Sequence, residues 1–136
     1  MAVKKITGVL QMLGNASSNN NVKTYSLMEM RGGQIIKNVK VDLDLDNFLG
    51  RAFSNGSEAT LWLHGNTLRA IKLDGKTYIS MLGYQNPILS LIFLSIGIPL
   101  CAVLIGFFVV YANTVNLQRA LAINEILREN PEAIKL

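Results

Sequence analysis

The segment from Ile88 to Ala112 reads ILSLIFLSIGIPLCAVLIGFFVVYA, and its interpretation decides the fold assigned to the whole chain. These 25 residues contain no charged side chain. About 20 apolar residues suffice to cross a hydrocarbon core of about 30 Å. The sequence therefore predicts one long transmembrane helix here. Pro99, near its middle, is expected to kink it, because proline removes a helical hydrogen bond.

The surrounding charge pattern supports the same interpretation. Only 16% of the 136 residues are charged, against about 25% in an ordinary soluble domain. No Asp, Glu, Lys, Arg or His occurs between Lys76 and Arg119. We therefore expect an α+β single-pass membrane protein in three parts. These are a small all-β domain at the membrane surface (residues 1–86), the transmembrane helix (87–112) and an amphipathic helical tail (113–136).

The amino-terminal part has the alternation of short β-strands. From Val39 to Asp46, aliphatic and charged residues alternate strictly, which predicts a strand with four aliphatic residues on one face and four charged residues on the other. Asn47 to Phe53 is predicted as a short helical turn, and Gly14 to Asn21 as a loop. Asp74-Gly75 is a strong hairpin signal. Five or six strands in this length predict a sandwich or a partly open barrel, and OB-like and SH3-like shapes both remain possible.

The apolar run also contains small residues at helix-packing spacing. Gly97 and Cys101 are four residues apart, as are Ala102 and Gly106. Such pairs let two helices approach closely, and these four residues are the candidates for helix packing. The alternative is that they are lipid-facing residues without a partner.

The predicted tail has an apolar stripe on an otherwise polar helix. Such a stripe must be covered by a partner, by another copy of the chain or by a membrane surface. Its members are Leu117, Ala120, Leu121, Ile123, Ile126 and Leu127.

Few residues indicate chemistry. Asp42-x-Asp44-x-Asp46 resembles the start of a calcium loop, but Asn47 and Phe53 stand where that loop requires Gly and Glu. His64 is the single histidine, without an evident nucleophile or metal ligand beside it. Trp62 is expected in the β core or at the membrane interface. We assign no catalytic, cofactor-binding or metal site, expect no nucleic acid, and identify no small-molecule substrate.

The function expected from this organisation is that of a non-enzymatic accessory subunit. The β domain would bind a partner at the membrane, and the helices would mediate homo-oligomerisation or docking on a larger membrane complex. The expected partners are the lipid bilayer and either the chain itself or another membrane protein. The alternative is a homo-oligomeric pore-forming or membrane-perturbing protein. The distribution of Lys and Arg favours a cytoplasmic β domain with the tail on the opposite side.

Overall fold

The structure is a computed structural model that describes residues 2–100 and 104–136, and it divides into two compact units. The barrel unit comprises Met1–Met81 with Ile126–Leu136, and the helical unit comprises Leu82–Glu125. The strands of the barrel unit are β1 Val3–Leu13, β2 Ala16–Asn19, β3 Val22–Met30, β4 Gln34–Asp42, β5 Glu58–His64, β6 Thr67–Leu73, β7 Lys76–Ile79 and β8 Ile134–Lys135. The helices are α1 Leu43–Asn55, α2 Pro87–Leu100 and α3 Leu104–Glu129, of which α3 gives its last residues to the barrel unit.

Five strands of the barrel unit form a closed path. β1 pairs antiparallel with both β3 and β5, β3 pairs with β4, and β5 pairs with β6. A short parallel pairing of β4 with β6 closes the ring, with Lys40 opposite Thr67. Of the sandwich and the partly open barrel that the sequence predicted, this ring of five strands is barrel-like. β2 is added to β3, β7 to β6, and β8 to β7.

The barrel is filled by hydrophobic residues from every strand of the ring and from α1. Val41, Leu61 and Leu68 are fully buried inside it. Leu45 and Leu49 of α1 are equally buried, and α1 contacts β1 and β6. The helix between β4 and β5 therefore contributes to the same core as the strands.

The strand predicted from Val39 to Asp46 is wrong in its second half. β4 ends at Asp42, and α1 begins at Leu43. Leu45 belongs to a helical series, because it is buried together with residues 49 and 52 at helix spacing. The predicted charged strand face does not form. Asp42 is buried, while Asp44 and Asp46 lie in the first turn of α1, where carboxylates favour the positive end of the helix dipole.

The hairpin turn at Asp74-Gly75 was predicted correctly, but the loop from Gly14 to Asn21 was not. Asp74 and Gly75 both adopt positive φ, 53° and 77°, so the predicted hairpin is confirmed. The loop predicted from Gly14 to Asn21 is wrong, because β2 forms within it. A Cβ at Gly14 would lie 2.5 Å from the hydroxyl oxygen of Ser26, so glycine permits the close approach of the chain to β3.

The predicted transmembrane helix is also wrong. Within 2–100 and 104–136, no helix combines the length and the apolar character needed to cross a membrane. α2 has 14 residues, or about 21 Å. Gly97 would meet the side chain of Val109 at 3.1 Å if it carried a Cβ, whereas one straight helix would separate these residues by about 18 Å.

The features predicted from that helix do not hold either. The apolar run is divided between α2 and α3, and Pro99 is the last residue but one of α2. A kink in the middle of a single long helix therefore does not describe this segment. The integral single-pass localisation, with a cytoplasmic β domain and the tail opposite, loses its basis as well.

Candidate interaction surface

The helical unit is an antiparallel hairpin. Late in α2, Gly97 lies against Val109, near the beginning of α3. Before α2 begins, the side-chain oxygen of Gln85 accepts a hydrogen bond of 2.9 Å from the amide nitrogen of Asn116, farther along α3. The contacts run in opposite directions along the two helices, so α2 and α3 are antiparallel.

Small residues of α2 face the inside of the hairpin. Ser90 and Gly97 are buried, and Leu94 between them is half-buried, so these residues form one inward stripe at helix spacing. Of the predicted helix-packing candidates, Gly97 and Gly106 are buried. Cys101 and Ala102 lie outside the described residues. Of these candidates, Gly97 is placed at a close contact with α3 of the same chain. The role of the four residues in contacts between chains stays a prediction.

The large apolar side chains of the hairpin point outward. On α2 they are 44–66% exposed, and on α3 they are 55–78% exposed. An ordinary helix of a folded domain shows the reverse arrangement, with its apolar face covered. We call this set the apolar surface; its members are Ile88, Leu89, Leu91, Ile92, Phe93, Ile96, Ile98, Phe107, Phe108, Tyr111 and Leu121.

Two exposed hydroxyl groups on these helices are already satisfied, whereas the buried hydroxyl of Ser90, on the inner side of α2, has no hydrogen-bond partner. The Ser95 hydroxyl donates to the carbonyl of Leu91 at 2.9 Å, and the Thr114 hydroxyl donates to the carbonyl of Val110 at 2.8 Å. The sequence also places no Asp, Glu, Lys, Arg or His on α2 or on the first half of α3. The apolar surface can therefore be covered without burying a charge or breaking these hydrogen bonds.

The predicted interaction stripe of the tail has a different environment. Ala120, Ile123 and Ile126 are buried, Leu117 and Leu127 are half-buried, and Leu121 is exposed. Most of the stripe is covered by the chain itself. Leu121 is the member that belongs to the apolar surface.

The end of α3 covers the outside of the barrel at Trp62. The indole nitrogen of Trp62 donates to a carboxylate oxygen of Glu129 at 3.3 Å. The Lys5 ammonium lies 5.4 Å from the centre of the Trp62 ring and 3.8 Å from that carboxylate. Trp62 is only 2% exposed, yet it lies outside the barrel core. Sequence reasoning missed this contact, since no pattern near Trp62 points to a residue so far along the chain.

A second polar cluster ties α1 to β3. Asp46 accepts hydrogen bonds from the Lys23 ammonium at 3.0 Å and from the Tyr25 hydroxyl at 2.6 Å. The hydrogen bond to Asp46 raises the pKa of Lys23, whereas burial, followed by the hydrogen bond to Asp46, raises the pKa of Tyr25. The three side chains hold each other in fixed positions, which suits a structural contact between the helix and the strand.

The barrel unit also has a cavity of about 420 Å³ between the β6–β7 hairpin and the carboxyl-terminal segment. Lysines and a glutamate both line it, so it does not offer a uniform charge to a ligand. Its polar lining includes Lys72, Lys76, Thr77, Asn130 and Glu132. In the part of the chain that the structure describes, no three His, Cys, Asp or Glu residues are grouped so that they could hold a metal ion.

Comparison with protein-family models, with curated proteins and with solved structures found no match to this chain. The apolar surface is therefore interpreted from its own geometry.

Proposed function

We propose that this protein is a non-enzymatic assembly subunit that docks on a partner protein through the apolar surface of its helical unit. The observation that carries the proposal is the exposure of eleven large apolar side chains on one hairpin. Contiguous exposed apolar patches of more than a few hundred Å² mark interaction sites in folded proteins.

The barrel unit supports this proposal, because the polar residues described in it have structural roles. Its polar clusters, Lys23 with Asp46 and Asp42 with Arg69, are pairs of opposite charge. An enzyme would require a nucleophile or a general base within reach of a bound substrate. The described polar clusters are accounted for as structural contacts, so we assign the function to the surface of the helical unit. The pore-forming alternative required a helix that spans a membrane, so it is not retained.

Site-specific crosslinking in cells of the native source tests the proposal. A photoreactive amino acid is placed at Ile92 or Phe108, and the matched control is Ile35 on β4, which is 54% exposed against 51% for Ile92. Protein adducts are expected from the two helical positions and not from position 35. Equal yields from all three positions, or adducts with lipid alone from positions 92 and 108, would refute docking on a protein.

A further inference from the structure

We infer that the partner is a second copy of this chain, docked through α2 across a two-fold axis. This inference rests on the proposed function and names the occupant of the apolar surface. Area, absence of charge and the shape of α2 each favour a second copy.

The apolar surface is large enough for a stable dimer. A large apolar side chain offers roughly 200 Å² when fully exposed, and the eleven side chains are between 44% and 78% exposed. The surface therefore amounts to roughly 1,000 Å² per chain, against about 800 Å² per partner in a standard interface. Contact over most of this surface, with α2 and the exposed residues of α3 together, would reach the size of a specific complex.

The charge of the surface permits self-association. The whole chain has a net charge of +4, so two copies repel each other over most orientations. Docking through α2 and the first half of α3 brings no charges together, because no Asp, Glu, Lys, Arg or His occurs between Lys76 and Arg119. Homodimer interfaces are more apolar than the interfaces of transient complexes, which agrees with a surface whose Ser95 and Thr114 hydroxyls are already satisfied.

The shape of α2 fits a copy of itself. Ile88, Ile92 and Ile96 follow each other at intervals of four residues, and all three are more than half exposed. Residues at this spacing form a ridge along a helix, and two such ridges pack into each other's grooves. The β-branched side chains are stiff, so they lose little conformational freedom when covered. A two-fold axis lets each ridge face its own copy.

A lipid surface matches these helices less well. Amphipathic helices that lie on membranes have a polar face rich in Lys and Arg, whereas α2 has no charged residue. The contact with a second copy requires no such face.

The test compares two isoleucine-to-lysine variants of the full chain. Ile92→Lys puts a charge on the apolar surface, and Ile35→Lys puts the same charge at a matched exposed position of the barrel unit. Mass in solution is measured by light scattering after size exclusion, and the dissociation constant by sedimentation. We expect the wild-type chain at twice its own mass. Ile92→Lys should weaken association at least about 100-fold, because an unpaired charge would be buried in each copy, and Ile35→Lys should leave it unchanged.

Folding of Ile92→Lys is checked by circular dichroism, and Ile88→Lys replaces it if it does not fold. A monomeric wild-type chain at high micromolar concentration, open-ended aggregates or equal weakening by Ile35→Lys would each overturn the inference. A monomeric purified chain whose position 92 crosslinks to a different protein in cells refutes the second copy alone. Absence of protein adducts in cells refutes the proposed function with it.

Discussion

Replacement of Asp42 by asparagine should destabilise the barrel unit strongly, because Asp42 and Arg69 form a buried ion pair. The closest nitrogen–oxygen distance is 3.5 Å, and the two side chains are only 4% and 7% exposed. At an effective dielectric constant of about 20, opposite charges at this distance attract by about 5 kcal/mol. Asp42→Asn removes that attraction, while the guanidinium of Arg69 stays buried.

Loss of one partner of a buried pair lowers the free energy of unfolding by about 3–5 kcal/mol, a large part of the 5–15 kcal/mol typical of a domain. Helix capping does not contribute to the loss, because the side chain of Asp42 makes no capping hydrogen bond with α1. The double variant Asp42→Leu with Arg69→Met removes both charges, and we expect it to recover most of the stability.

Urea unfolding followed by circular dichroism measures these differences. Glu129→Gln serves as the control, since the Lys5–Glu129 pair is more than half exposed on both sides and exposed pairs contribute about 0–1 kcal/mol. A loss below about 1 kcal/mol for Asp42→Asn, or a double variant as unstable as the single one, would refute this account.

Gly97→Leu should loosen the helical hairpin, because even a Cβ at this position would lie 3.1 Å from two valine side chains. Gly50→Ala in α1 is the control: its Cβ meets no atom within 4 Å, so it should raise the free energy of unfolding by about 0.5–1 kcal/mol. Thermal melts compare the two variants, and equal melting temperatures would contradict this prediction. Burial and the hydrogen bond to Asp46 raise the pKa of Tyr25 above its ordinary 10.0. The contribution of Tyr25 to stability is therefore complete below pH 10 and is lost as pH rises through the pKa of the folded state. Between these pH values the free energy of unfolding of Tyr25→Phe should fall less than that of the wild type, and parallel curves of free energy against pH would argue against this prediction. Deletion of Ile126–Leu136 should expose Trp62 and shift its emission to longer wavelength, and an unshifted spectrum would show that this segment does not cover the indole.

Local signals predicted the hairpins because their chemistry is contained in a few residues. Asp74-Gly75 needs only positive φ at two positions. The change from β4 to α1 at Asp42 was missed because the strand alternation runs up to Leu45, where the helical series begins. Leu45 fits both the strand alternation that precedes it and the helical spacing that follows it. The burial of Leu49 in the core shows that the helical spacing applies.

The larger error concerned the apolar run, and its cause is physical. Hydropathy counts the apolar residues of a segment, but not the path that the chain takes through them. The close approach of Gly97 to Val109 is a tertiary contact, and it divides the run into two packed helices. Sequence reasoning did single out Gly97 as a helix-packing residue, although it assigned Gly97 to a contact between chains.

The barrel unit is discontinuous in sequence, and this determines the order in which its parts are synthesised. The strands up to β7 are complete by residue 79, but the residues that cover Trp62 and pair with β7 begin only at residue 126. At about 5–20 residues per second, the intervening helices take roughly 2–10 s to make. A nascent chain therefore carries a formed ring with an uncovered indole and an unpaired β7 edge for seconds. During this interval the open edge of β7 could be bound by a chaperone that recognises unpaired strands.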